Sequence, residues 1–232
     1  TGTVQTLNAA TGSWNLRGGT INGGTLAFAD GSVLNYTSSG GTLSSVTVNG
    51  DLLLNTASAT VLLTGTTRFT AARLTAGSTS LQMAPGYTLN DLVVAEGATT
   101  GTRTVTLAVG GSGTVTFGST GVVRLAAGSG GDLNISQNNA AALVNNGLIT
   151  AEAAGRTLTI TTFTNGFTNN GTLQSLAGTV NLSTTFSNTG TLIGVTGNLD
   201  ITGTFNATGT VQTLNAATGS WNLRGGTING GT

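Results

Sequence analysis

The sequence predicts an all-β protein, a parallel β-helix (β-solenoid), and three observations carry that prediction. Residues 1–25 read TGTVQTLNAATGSWNLRGGTINGGT and residues 208–232 read the same, letter for letter, an offset of 207 residues. A shorter period, 190 − 171 = 209 − 190 = 19, aligns Gly171-Thr172-Leu173, Gly190-Thr191-Leu192 and Gly209-Thr210-Val211, each preceded at four residues by Phe167, Phe186 or Phe205. A second strand then follows in register: Leu158/Ile160, Val180/Leu182, Leu199/Ile201 and Trp221/Leu223, with polar Thr159, Asn181, Asp200 and Asn222 between the apolar partners. Units of roughly 19 to 24 residues that place like on like are coils stacking on coils, because one such unit cannot bury its apolar side alone.

In chain order, the first units are looser. Gly2-Thr3-Val4, Gly24-Thr25-Leu26 and Gly41-Thr42-Leu43 have spacings of 22 and 17 and align as one strand position in successive rungs. Ser13-Trp14-Asn15-Leu16 alternates, which puts Trp14 in the core with Leu16. From about residue 51 to 142 the alternation persists, as in Thr104-Val105-Thr106-Leu107 and Thr114-Val115-Thr116-Phe117, but the even spacing does not. Pro85-Gly86 marks a turn. Leu143 with Gly147-Leu148-Ile149 repeats the Phe167 unit one turn upstream, at a spacing of 167 − 143 = 24, and Thr157-Leu158-Thr159-Ile160-Thr161 alternates again. Thr, Val, Ser, Asn and Gly are poor helix formers, so no helix is expected. Phe167, Phe186 and Phe205 are expected to form an inward aromatic ladder, with Gly and Asn at the corners. At roughly 20 to 24 residues a rung, 207 residues make about nine or ten rungs, and the ~4.8 Å strand spacing makes one repeat advance roughly 43 to 48 Å.

Composition bounds the function. Only 6% of residues are charged, seven basic against seven acidic, with no Lys, His or Cys, while 38% are apolar. That is too hydrophobic for a disordered chain. Zero net charge leaves no basic footprint for nucleic acid or anionic membranes, no run of apolar residues is long enough to span a bilayer, and no signal peptide is visible.

No catalytic, cofactor or metal residues are expected. The nearest carboxylates, Asp91 and Glu96, are five residues apart and read as solvated turn acids. Arg68 and Arg73 read as surface side chains over apolar rungs, so the clustered acidic and basic face of a polysaccharide lyase or hydrolase is missing. Gly130-Gly131-Asp132 approaches a calcium nonapeptide only once, and Gly110-Gly111-Ser112-Gly113 precedes no helix, so it is a turn. Thr104/Thr106, Thr114/Thr116 and Thr157/Thr159/Thr161 carry the Thr-x-Thr unit of an ice-binding array without rung spacing throughout. Asn35, Asn134, Asn170, Asn181 and Asn206 match the N-glycan acceptor pattern by composition. Trp14, its copy Trp221, Tyr36 and Tyr87 are candidates for stacking on sugars, with core packing the favoured reading of Trp14.

The recurring Gly-Thr-Leu, with the phrases Gly-Gly-Thr-Ile-Asn-Gly-Gly-Thr and Ser-Trp-Asn-Leu-Arg-Gly-Gly, resembles the long repetitive surface proteins of bacteria, the filamentous-haemagglutinin-like and autotransporter-like adhesins. The resemblance implies a right-handed helix, secretion, and service as a fibre or adhesin stalk at the cell surface. Residues 1–207 are then one long tandem repeat, and 208–232 begin the next directly after Phe205-Asn206-Ala207, with no linker. Expected partners are adjacent repeats of the same chain, with other cells or surface glycans beyond them. The alternative is a solenoid face that binds glycan or ice. With interior rungs at both ends, the isolated 232-residue chain is expected to associate end to end or to aggregate; a monodisperse monomer at high concentration in analytical ultracentrifugation contradicts this.

Overall fold

A computed structural model describes residues 3–232; every element in it is a strand, and every strand pairing is parallel. The chain is a β-solenoid of about 10 coils. Each coil visits three faces in turn.

The third face shows the stack most completely. Its ten strands run Thr20–Asn22, Thr42–Ser44, Thr60–Thr64, Ser80–Met83, Arg103–Leu107, Leu133–Gln137, Thr157–Ile160, Thr179–Leu182, the end of Thr191–Ile201, and Gly219–Leu223. The first face carries Val4–Leu7, Thr25–Phe28 and Thr47–Asn49, a bridge to Arg68, and then seven strands from Thr88–Leu89 to Thr227–Asn229. The second face begins with Trp14–Leu16 and Leu34–Tyr36 and continues through Leu52–Leu54 and Ala71–Leu74 to the start of Thr191–Ile201. Parallel pairing needs a crossover between partners, and here the other two faces of the coil supply it.

In the C-terminal half the aromatic lane and the alternating strand stack as expected. Leu143, Phe167, Phe186 and Phe205 are successive partners on the first face, and Ile228 follows Phe205. The rings of Phe167 and Phe186 are tilted at 6.3 Å, those of Phe186 and Phe205 stacked at 4.6 Å, and Trp221 meets Phe205 edge-on at 6.3 Å. On the third face Ile160, Leu182, Ile201 and Leu223 follow one another in register. Both lanes are buried except at the last coil, and their side chains join one continuous core cluster along the stack.

Three alignments are corrected. Gly41-Thr42-Leu43 belongs to the third face, where Thr42 pairs with Thr20; the strand stacked on Thr25–Phe28 is Thr47–Asn49. Val4 pairs with Thr25, one residue out of the expected register, and Gly2 lies outside the described residues. Gly209-Thr210-Val211 forms no strand, although Thr172 and Thr191 pair as expected. The cause of the first is that Gly-Thr-Leu marks a corner followed by a strand, and every coil has three corners. The spacing is lost between 51 and 142 because coil length changes there. Ser80 pairs with Thr104 and Thr104 with Asn134, so the coil length is 104 − 80 = 24 and then 134 − 104 = 30, against 200 − 181 = 19 from Asn181 to Asp200. Both coils carry a long loop between the second and third faces, at 96–102 and 126–132, and the 30-residue coil also has longer corners at 108–112 and 118–121. Pro85-Gly86 is the expected turn, with Gly86 at φ 78 and the Tyr87 amide donating to the Ala84 carbonyl at 3.2 Å.

Candidate functional site

The outer lane of the third face reads Thr60, Ser80, Thr104, Asn134, Thr159, Asn181, Asp200, Asn222 from one coil to the next. Outward side chains of stacked parallel strands stand in rows about 4.8 Å apart, so this lane is a long row of short polar groups. Thr104 and Thr159 share it with Asn134 between them, while Thr114 and Thr116 stand on the first face. The Thr-x-Thr units are therefore divided between two faces. The row as a whole is a surface of hydroxyls and amides with one acid.

Five charged residues meet elsewhere, from the end of the first face across the second. Arg68 donates to both oxygens of Asp91 at 2.8–3.0 Å, and Arg73 donates to Asp51 at 2.6 Å and Glu96 at 3.0 Å. Hydrogen bonds to these carboxylates raise the pKa of both guanidinium groups. Asp91 and Glu96 thus belong to two separate ion pairs and do not face each other. Arg68 and Arg73 stand on adjacent faces and staple neighbouring coils. Both arginine side chains are partly exposed and screened by solvent, so each pair contributes about 1 kcal/mol at most.

Asp132 accepts the Thr157 amide at 2.9 Å, and among the described residues no three His, Cys, Asp or Glu gather as a metal site. Gly110, at φ 86, turns the chain directly into the strand Gly113–Phe117. Tyr36 and Tyr87 are buried, and burial pushes both phenols well above the usual tyrosine range. They are core residues and offer no platform to a sugar. Trp14 is in the inward lane opposite Leu34 but is 39% exposed at the edge of the stack, whereas Trp221 packs on the core. Of the acceptor-pattern asparagines, Asn35 is tied to Asn15 at 3.0 Å and Asn170 to Asn146 at 3.0 Å.

Two buried polar devices escaped the sequence reading. The first is an asparagine ladder. Asn145, Asn169 and Asn188 are fully buried at the corner after the first face; Asn145 Nδ2 donates to Asn169 Oδ1 at 2.7 Å and Asn169 Nδ2 to Asn188 Oδ1 at 2.6 Å. Asn188 Nδ2 then reaches Gln212 Oε1 at 3.1 Å. Each amide also bonds to the backbone carbonyl two residues on, at Gly147, Gly171 or Gly190. These glycines form their own column: a Cβ at Gly147, Gly171 or Gly190 would overlap backbone of the preceding coil. The signal was legible, since each Asn stands two residues after Leu143, Phe167 or Phe186 and shares their spacing.

The second device is Arg103, which is 0% exposed. It opens the strand Arg103–Leu107 in the inward lane, opposite Leu133, where its neighbours are aliphatic. Nη2 donates to the carbonyls of Thr75 at 3.3 Å, Glu96 at 3.0 Å and Gly97 at 3.4 Å, and Nη1 to Ser129 Oγ at 3.4 Å. Burial, with repulsion from Arg156, lowers its pKa, but a guanidinium stays charged. One side chain thus ties together the long loops of three consecutive coils. Its signal was the alternation itself, in which Arg103 occupies a place that Val105 and Leu107 mark as inward.

No family model, curated protein or solved structure matches this chain.

Proposed function

We propose that the chain is a structural repeat of a giant extracellular fibre or adhesin stalk, a rod that attaches cells or holds something at a distance from the surface. The observation that carries this reading is the join. Residues 208–232 repeat 1–25, and they continue the existing ladders: Ile228 stacks on Phe205, Trp221 on Leu199, and Arg224 pairs with Asp200 at 2.8 Å. Successive repeats would share one core and one hydrogen-bonded stack, and stability would grow with coil number. A sparsely charged, net-neutral surface rich in glycine and threonine gives such a rod no electrostatic pull on polyions. Electron microscopy of the native protein is expected to show filaments with an axial unit of about 45 Å; compact globular particles would overturn the reading.

The polar row on the third face favours a second reading, in which that face binds glycan. Binding on a glycan array that is lost on replacing Thr104, Asn134 and Thr159 by bulky charged residues supports it, and an array with no signal rejects it.

A further inference from the structure

Identical residues occupy different faces at the two ends of one continuous solenoid. In the first copy Trp14–Leu16 lies on the second face and Thr20–Asn22 on the third. In the second copy the corresponding strands Gly219–Leu223 and Thr227–Asn229 lie on the third and first faces. The third face is unbroken between them, since its stack starts with Thr20–Asn22 and ends with Gly219–Leu223. Between the start of one copy and the start of the next the chain completes nine coils of three faces and then one further face, the strand Thr204–Asn206.

The open end of the second copy shows what belongs on it. Leu7 is 0% exposed because Thr25–Phe28 and the rest of the second coil cover it, whereas its copy Leu214 is 58% exposed. Leu214, Phe205, Trp221 and Ile228 line a hollow of about 250 Å³ there. The seating of the next coil has already begun: the Thr25 amide donates to the Thr3 carbonyl at 2.9 Å, and the Thr232 amide likewise to Thr210 at 3.2 Å. The repeated asparagine carries the same message. Asn15 Oδ1 accepts from Asn35 in the coil above, while Asn222 Nδ2 donates to Asp200 in the coil below. The two copies use opposite ends of one amide, so a copy with neighbours on both sides would satisfy both.

We propose that the open end takes the segment 26–49 of a following copy of this sequence, seated one face round from where that segment sits at the start of the chain. Each 207-residue unit then advances the solenoid by nine and one-third coils. A given surface feature, such as the polar row or the Arg68–Asp91 corner, returns to the same side of the rod only at every third unit, about 135 Å along it. The proposal rests on the tandem-fibre reading.

The chain has no cysteine, so engineered pairs report cleanly. An integral number of coils would carry the register of the third face on to Asn229 and set it opposite Thr204, whereas here it is opposite Asn206. Parallel neighbours fall within disulfide reach, and a two-residue slip takes them out of it. The exposed pair N206C/N229C should therefore form a disulfide on mild oxidation of the 232-residue protein, many-fold faster than T204C/N229C. The reverse order overturns the proposal, and so do native filaments whose side features repeat strictly every 45 Å or so. Globular native particles together with the N206C–N229C disulfide would instead overturn the fibre reading, leaving the register at this join as found.

Discussion

Replacing Arg103 by alanine is expected to lower the stability of the central coils by about 3–5 kcal/mol, from carbonyls left without a donor and a side-chain volume left empty. The carbonyls of Thr75 and Glu96 would lose the donor that Arg103 supplies, and the space filled by its aliphatic stem would empty. Arg103→Met restores the stem but no donor and is expected to recover only part of the loss. Arg103→Lys brings a single ammonium, which cannot reach the loops of three coils at once. Because coils in a solenoid can open locally, the measurement is hydrogen exchange of the strands Ala71–Leu74, Leu92–Ala95 and Val122–Leu125 alongside the urea midpoint. An Arg103→Ala protein within about 0.5 kcal/mol of the parent, the scatter of ordinary surface substitutions, would show that the guanidinium is a passenger.

Asn169→Leu should cost roughly 2–4 kcal/mol, since it leaves Asn188 Oδ1 without its donor and Asn145 Nδ2 without its best acceptor in a buried column. Asn169→Asp adds a pH signature. Its carboxyl would face the Asn188 and Gly171 oxygens, both acceptors, so the fold favours the protonated acid and raises its pKa above the unfolded value near 3.9. The folded state then binds more protons than the unfolded one, and stability falls as pH rises from about 4 toward the raised folded value. The parent chain has no histidine and should show no matching decline. Melting temperatures of Asn169→Asp at pH 4 and pH 7 decide the matter: equal shifts from the parent at both would mean that the ladder carries no directional hydrogen bonding.

The asparagine ladder shows how far periodicity reaches. Phe167, Phe186 and Phe205 announce themselves because large apolar residues at one spacing have one use. Asn145, Asn169 and Asn188 recur beside them at separations of 24 and 19, yet Asn in a turn-rich chain reads as a corner residue facing water. Only stacking reveals that these amides point inward, where each finds the next. Arg103 is harder still, since its partners come from loops 28 residues before it and 26 after it, in coils whose lengths differ. Ion pairing was equally illegible: Asp91 and Glu96 are close in sequence, but each meets an arginine 23 residues before it, one coil below.

By itself the sequence determined the strand-rich coil, the inward lanes and their polar counterparts, because alternation and short-range recurrence are local properties that any neighbour would read in the same way. The tertiary structure alone decided what each copy of the repeated stretch becomes. Val4–Leu7 is a strand, whereas residues 211–214, with identical side chains, are not. Trp14 stands half open on the second face, and Trp221 packs beside Phe205 on the third. The physical reason is that a solenoid strand makes its hydrogen bonds only with the coils above and below. Identical residues with different coils on either side therefore fold differently.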